Sequence, residues 1–188
     1  MKTVKNGHKR HIRLDAILLI IGVVCLSIFA GISYYNAMEE KRSRETVQQL
    51  RSMRDVGIAP RVDSSQTDTE KQDAITTSYE RLFEANADMI GWLNIPGTQI
   101  DYPVMQTLED EEYYLRRNFY KEKDKNGCLL MDTDSDIHMA GANLIIHGHN
   151  MKSGDMFGTL QDYQDQEYGM EHNKLYLYTL SLIHISEP

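Results

Sequence analysis

The pattern that decides the fold of this 188-residue chain lies in WLNIPGTQIDYPVM, residues 92–105. Ile100, Tyr102 and Val104 alternate there with two polar residues and a proline. Alternation with a period of two is typical of a strand. The Pro-Gly pair in the middle of the stretch indicates a turn. The stretch therefore predicts two strands joined by a tight turn.

The segment before these strands has a helical pattern instead. In TSYERLFEANADMIGW, residues 77–92, Thr77 and Glu80 have the spacing of a capping box, and apolar side chains follow on one helical face. This pattern predicts a short helix over about 78–86.

Three further runs after the hairpin predict strands, because they are apolar or alternating and are bounded by turn residues: GCLLMD (127–132), ANLIIHGH (142–149) and NKLYLYTL (173–180). Several short strands with few helices predict a mainly β fold, either a barrel or a sandwich with antiparallel or mixed pairing. The roughly 110 residues after 77 are few for a closed barrel with a substrate cleft, so more chain is expected.

The N-terminal region has the composition of a membrane anchor. Residues 16–38 contain no ionisable acid or base, and as a helix they would be roughly 34 Å long, enough to cross a hydrocarbon core of about 30 Å. Residues 1–15 carry five Lys and Arg side chains, which predicts a cytoplasmic basic tail. A cleaved signal peptide is the alternative, but the apolar run is long and no good cleavage site follows it. We expect an uncleaved, single-pass signal anchor at the cell membrane.

The rest of the chain divides into three predicted regions. Residues 39–76 are interpreted as a stalk and linker, helical at first and then polar without periodicity. The folded domain is predicted over 77–179. Residues 180–188, which include SLIHISEP, resemble a translated adapter and are expected to be a non-native tail, so that the natural sequence would differ there.

Charge and cysteine content exclude some classes of protein. The net charge is −8, and no basic patch follows the anchor, which argues against a nucleic-acid partner. Cys25 lies in the predicted anchor and Cys128 in the predicted outer domain, so a disulfide between them is not expected.

The stretch NLIIHGHNMKSGDMFGTL, residues 143–160, carries two candidate functional side chains. His147 and His149 are two residues apart, so on one strand both would project from the same face. Together with His138 or His172 they could hold zinc, although no established zinc motif accompanies them. They could equally be two solvated histidines at a strand end, or one could be a catalytic base.

Several blocks of the sequence carry a family resemblance. In order they are ERLFEANADMIGWLNIPGTQIDYPVMQ (80–106), YYLRRNFY (113–120), GCLLMD (127–132) and NLIIHGHNMKSGDMFGTLQDY (143–163). Together they resemble the class B sortases, membrane-anchored cysteine transpeptidases of Gram-positive surfaces. The resemblance implies a sortase-like β-barrel, incomplete in this chain, with N-terminal helices and no cofactor or metal.

The same resemblance implies roles for three residues. His149, within Gly-His-Asn, corresponds to the family's catalytic histidine, which protonates the leaving amine and deprotonates the incoming one. Leu115 and His147 are expected to line the substrate groove. The implied partners are surface proteins with a C-terminal sorting signal of the Asn-Pro-x-Thr or a related type, and an amine from a peptidoglycan precursor or a pilin.

The family's cysteine nucleophile and arginine have no counterparts here. The family places the cysteine in a Thr-Leu-x-Thr-Cys block, whereas Thr179, Leu180 and Ser181 are followed by Leu-Ile. Cys128 is expected to be a buried structural thiol, and Cys25 lies at membrane depth. The chain is therefore predicted to be a C-terminally truncated and inactive sortase. The alternative is a membrane-anchored extracellular binding or metal-capture module that uses His147 and His149.

Overall fold

The computed structural model describes residues 7–56, 79–137 and 143–179, with side chains in the first range described over 14–55. It divides into two compact units, Met1–Lys41 and Arg42–Pro188. Helix α1, Gly7–Val56, is 50 residues long and runs through both. The predicted linker and the predicted tail lie outside the described residues.

The first unit consists of the apolar half of α1. The helix between Leu14 and Asp55 contains a window of mean hydropathy 2.7, none of which is buried by the rest of the protein. Large side chains such as Phe29, 70% exposed, face outwards. By length and composition, this helix could cross a membrane.

The second unit begins within α1, earlier than the sequence pattern suggests. The sequence pattern places residues 39–56 in a stalk, yet Leu50 is only 1% exposed and packs in the core of the folded unit. Ser43, Val47 and Leu50 recur at helical spacing and form the face of α1 that packs inwards. This face is narrow, and the many charged residues around it make the sequence pattern look like that of a solvated helix.

The second unit is built on a five-stranded mixed sheet with the strand order β4-β3-β2-β1-β5. The strands are β1 Met89–Asn94, β2 Asp101–Met105, β3 Leu129–Met131, β4 Ile146–His147 and β5 Tyr176–Thr179. Only β2 and β3 pair in parallel; the other neighbours are antiparallel. The sheet is open over the described residues, as an incomplete barrel would be, and the predicted mixed pairing is confirmed.

The predicted hairpin is present with the predicted turn. Trp92 faces Pro103 and Asn94 faces Asp101 in the register of β1 and β2. Gly97 has a φ of 81°, a left-handed conformation that glycine adopts without a steric penalty. The Ile95 amide N donates to the Ile100 carbonyl O at 2.8 Å and closes the turn.

Both faces of the hairpin are covered by apolar side chains. The buried apolar side chains form two clusters. Trp92 belongs to the first cluster and its neighbour Leu93 to the second, so β1 is buried on both sides. The predicted helix, α2, spans residues 79–85 of the described chain and contributes Leu82 and Phe83 to the first cluster. Residues that sequence alternation would place in solvent, such as Pro103, are therefore buried as well.

The connections contain short helical segments. A 3₁₀-helix, Tyr113–Arg116, precedes β3. A second 3₁₀-helix, Gly158–Gln164, and helix α3, Gln166–Glu171, lie between β4 and β5. The two candidate histidines lie before these last two segments: His147 is in β4, and His149 is in the turn that follows it.

Candidate active site

His149 lies just after β4 and is partly buried. Its Nε2 is 2.8 Å from the carbonyl oxygen of Leu115. Because a carbonyl can only accept a hydrogen bond, Nε2 carries the proton and donates it. In the neutral ring, Nδ1 is then the nitrogen that can take up a proton. The contact with Leu115 thus fixes both the orientation and the tautomer of the ring.

The backbone of His149 is held at the base of a closed turn. Its carbonyl oxygen accepts a hydrogen bond of 3.0 Å from the Phe157 amide, and Asn150 forms an antiparallel bridge with Met156. Gly148 is needed directly before it, because a Cβ there would come within 2.6 Å of Leu129 and 2.7 Å of Phe157. Close packing around Gly148 therefore restricts the backbone directly before His149.

Leu115 contributes to this site through its backbone. Its side chain is partly buried and packs against the first core cluster, and its carbonyl oxygen faces His149. Gly127, with a φ of 60°, allows this arrangement, because a Cβ at that position would lie 2.4 Å from the same oxygen. The sequence predicted Leu115 as a groove residue but gave no sign that its carbonyl binds the histidine.

His147 has different neighbours from His149. Its ring is exposed, and its Nε2 lies 3.3 Å from Asp132 Oδ2 and 3.9 Å from Glu111 Oε1. Hydrogen bonds from the Asp134 amide and from His147 hold the pKa of Asp132 below its usual range. Sequence reasoning missed both carboxylates; the register of β4 against β3, which pairs Leu130 with His147, brings Asp132 near.

The predicted pairing of the two histidines in one metal site does not form among the described residues. The only cluster there with metal-ligating atoms within 4.8 Å of one another is Glu111, Asp132 and His147. His149 is bound to Leu115 instead, and the ring of His172 stacks on Tyr168 with a centroid distance of 4.1 Å. His138 lies outside the described residues.

Cys128 has the surroundings of a structural thiol. It is 7% exposed and lies directly before β3, and its amide donates to the Tyr114 carbonyl oxygen at 3.1 Å. Burial raises the pKa of the thiol, so the nucleophilic thiolate is disfavoured. Cys128 therefore does not have the environment of an activated nucleophile.

Comparison with known proteins finds close sequence similarity to one family. No protein-family model matches the chain. Sortase B of Listeria monocytogenes is 31% identical over 155 residues, which cover 82% of this chain and 58% of that protein. Sortase B of Staphylococcus aureus is 26% identical over 164 residues, 87% of this chain and 62% of that protein. The chain thus spans less than two thirds of the length of these relatives.

Solved structures show the same similarity in the fold. The crystal structure of sortase B from Bacillus anthracis in complex with AAEK1 matches with a TM-score of 0.60 and 30% identity, over 76% of this chain and 63% of that one. A Staphylococcus aureus sortase B-substrate complex matches with a TM-score of 0.63 and 25% identity, over 76% of this chain and 61% of that one. The open sheet and the turn around His149 lie in a fold of this type.

Proposed function

Because this chain belongs to the class B sortase family, we propose that His149 is the acid and base of a cysteine transpeptidase. The observation that carries the proposal is the hydrogen bond from His149 Nε2 to the Leu115 carbonyl, which leaves Nδ1 for proton transfer. A general acid and base must keep one orientation and have one nitrogen available, and this arrangement provides both.

In the proposed reaction, a cysteine thiolate attacks the carbonyl of a threonine in the sorting signal, and the peptide C–N bond breaks as a thioester forms. The His149 imidazolium gives its Nδ1 proton to the leaving amine. The neutral imidazole then takes a proton from the incoming amine, which attacks the thioester and releases the thiolate. An arginine stabilises the charge on the carbonyl oxygen.

The two cysteines of this chain do not fit the first step. Cys128 is buried, and burial raises its thiol pKa; Cys25 lies within the apolar half of α1. We therefore propose that the 188-residue chain has no transpeptidase activity by itself. In the proposed reaction, this chain provides the histidine.

The proposed substrates follow from the family. They are surface proteins that carry a C-terminal sorting signal of the Asn-Pro-x-Thr or a related type, with an amine of a peptidoglycan precursor or a pilin as the acceptor. Leu115 and His147 are proposed to line the groove. Their positions support this, because the segment that contains Glu111 and Leu115 lies against the segment that contains the two histidines. His149 contacts Leu115, and His147 lies near Glu111.

The proposed location is the cell membrane, with residues 16–38 as a single-pass anchor, residues 1–15 in the cytoplasm and the folded domain outside. The exposed apolar half of α1 supports the anchor. Protease treatment of intact protoplasts should remove the folded domain and leave an N-terminal tag protected. Loss of the tag instead would contradict this orientation.

A hybrid enzyme tests the catalytic role. Residues 1–179 are fused to the C-terminal segment of Staphylococcus aureus sortase B, and cleavage of a fluorogenic Asn-Pro-x-Thr peptide is measured. The hybrid should cleave the peptide, and His149→Ala should lower kcat by about 10²- to 10⁴-fold, the usual contribution of a general acid and base. His147→Ala and Leu115→Ala should change mainly KM, as groove residues would.

Cys128→Ala serves as the matched control in the same hybrid, since a structural thiol should leave kcat unchanged. The proposal fails if His149→Ala cleaves as fast as the parent hybrid. It also fails if Cys128→Ala abolishes cleavage.

A further inference from the structure

The turn that follows His149 contains a buried carboxylate with a cation from a distant part of the sequence. Asp155 is 7% exposed, and its two oxygens lie 3.2 and 3.0 Å from Arg44 Nε. Arg44 Nη2 lies 3.0 Å from Asp155 Oδ2, so the Nε–Nη2 edge of the guanidinium faces the carboxylate. Ser153 Oγ donates to Asp155 Oδ2 at 2.7 Å. Helix α1 therefore binds the middle of this turn.

The residue after Asp155 has a strained backbone that its surroundings maintain. Met156 has a φ of 55°, a left-handed conformation that non-glycine residues rarely adopt. It is 2% exposed, and its amide donates to the Tyr102 hydroxyl of β2 at 3.1 Å. Contacts on both sides, with Arg44 and with Tyr102, keep the turn in a conformation it would not otherwise prefer.

The same turn determines where the His149 backbone lies. Met156 bridges to Asn150, and the Phe157 amide donates to the His149 carbonyl at 3.0 Å. A change in the position of Asp155 is therefore passed through the next two residues to His149. This path runs along the backbone and needs no contact between the carboxylate and the imidazole.

We propose that Asp155, bound by Arg44, is a positioning residue for His149. The pair holds the turn in the one conformation in which the His149 ring can donate Nε2–H to Leu115 and present Nδ1. The functional meaning rests on the proposed role of His149 as acid and base, whereas the effect on the ring can be measured without any turnover.

Helix α1 offers two matched controls for this pair. Arg42 pairs with Glu122 at 2.8 Å, but both side chains are more than half exposed. Arg54 pairs with Asp101, and both of these side chains are less than a fifth exposed. Arg42→Gln therefore removes a solvated pair, and Arg54→Gln removes a buried pair whose carboxylate belongs to the hairpin instead of the turn.

The test uses the full chain in detergent micelles with ¹⁵N-labelled histidine, and His149→Gln assigns the resonance. Long-range ¹H–¹⁵N spectra at about pH 8, above the usual histidine pKa of about 6.5, report the tautomer of the neutral ring. The wild-type protein should show a single Nε2–H tautomer for His149. Asp155→Asn and Arg44→Gln should both shift this resonance towards a mixture, and hydrogen exchange of the Phe157 amide should accelerate at least about tenfold.

Two comparisons separate positioning from general loss of stability. Arg44→Lys should restore part of the wild-type tautomer population, because it keeps the charge but not the planar fork. Arg54→Gln should lower the melting temperature and leave the His149 resonance unchanged, and Arg42→Gln should change neither. A His149 spectrum that stays at the wild-type position in both Asp155→Asn and Arg44→Gln overturns the proposal, as does an equal shift in Arg54→Gln.

The hybrid enzyme distinguishes this result from failure of the proposed function. If Asp155→Asn shifts the His149 tautomer while His149→Ala still cleaves peptide, the positioning holds and the catalytic role falls. If His149→Ala is inactive while Asp155→Asn leaves the tautomer and the kcat of the hybrid unchanged, the catalytic role holds and the positioning falls.

Discussion

The hairpin β1–β2 and the pair β3–β4 belong to the same sheet but differ in almost every physical property. The hairpin strands are six and five residues long, and Trp92 and Val104 at their centre are fully buried. Strands β3 and β4 are three and two residues long, and His147 in β4 is exposed. The long, covered pair supplies most of the packing, and the short pair leaves side chains and a turn available for chemistry.

Their charged residues differ in the same way. Asp101 on the hairpin accepts hydrogen bonds from Trp92 Nε1 at 2.7 Å and Asn94 Nδ2 at 3.1 Å, and pairs with Arg54. Arg54 also lies over the Trp92 ring, 4.8 Å from its centroid. Asp132 beside β3 accepts a hydrogen bond from the Asp134 amide and lies near the exposed His147 ring and near Glu111. The charges on the hairpin are buried and stabilise the fold, whereas those beside β3 and β4 lie at or near the surface.

The largest effect should come from the centre of the hairpin. Trp92→Ala removes a ring that is 0% exposed and should lower the free energy of unfolding by about 3–5 kcal/mol, because a cavity remains in the core. Urea unfolding followed by circular dichroism measures this. Leu108→Ala is the control, since Leu108 is 77% exposed and its removal should have little effect. Equal unfolding midpoints for the two variants would contradict the assigned core.

The next effect should come from Asp101. Asp101→Ala leaves the Trp92 N–H without its acceptor, removes the buried partner of Arg54 and should cost about 3 kcal/mol at neutral pH. Burial by itself would raise the pKa of Asp101, but the hydrogen bonds from Arg54 and Trp92 outweigh it and hold the pKa below its usual range. Urea unfolding midpoints of the wild-type and variant proteins over a pH series measure both properties.

The direction of the pH dependence follows from that lowered pKa. A carboxyl whose pKa is lower in the folded state stabilises the protein fully above its unfolded-state pKa of about 3.9, and the contribution disappears as the pH falls through the folded-state value. The difference between wild-type and Asp101→Ala should therefore be constant near neutral pH and shrink below about pH 4. A difference that grows on acidification would show that the carboxylate is not stabilised in the folded protein.

The smallest effect on stability should come from the other pair of strands. His147→Ala removes an exposed ring whose ion pairs are solvated, so the free energy of unfolding should change by less than about 0.5 kcal/mol. Thermal melting of the two proteins measures this. A loss as large as that of Asp101→Ala would place His147 among the structural residues and would remove the contrast between the two pairs of strands.

Much of the fold could be predicted because its signals are local. The hairpin, the helix before it and the positions of the later strands follow from periodicity and from the Pro-Gly turn, and the structure confirms them. The inward face of α1 could not be predicted, because Ser43, Val47 and Leu50 become a core surface only when the sheet lies against them. Strand β4 is shorter than its apolar run suggests, since only two residues pair with β3.

The sequence by itself determined which residues are candidates: an apolar anchor segment, a hairpin, and two histidines in a family-like block. Only the tertiary structure decided how those histidines differ, because their partners are far away in the chain. Leu115 lies 34 residues from His149, and Arg44 lies 111 residues from Asp155. Periodicity and spacing report local geometry, whereas contacts of this length depend on how the strands pair and how the helix packs.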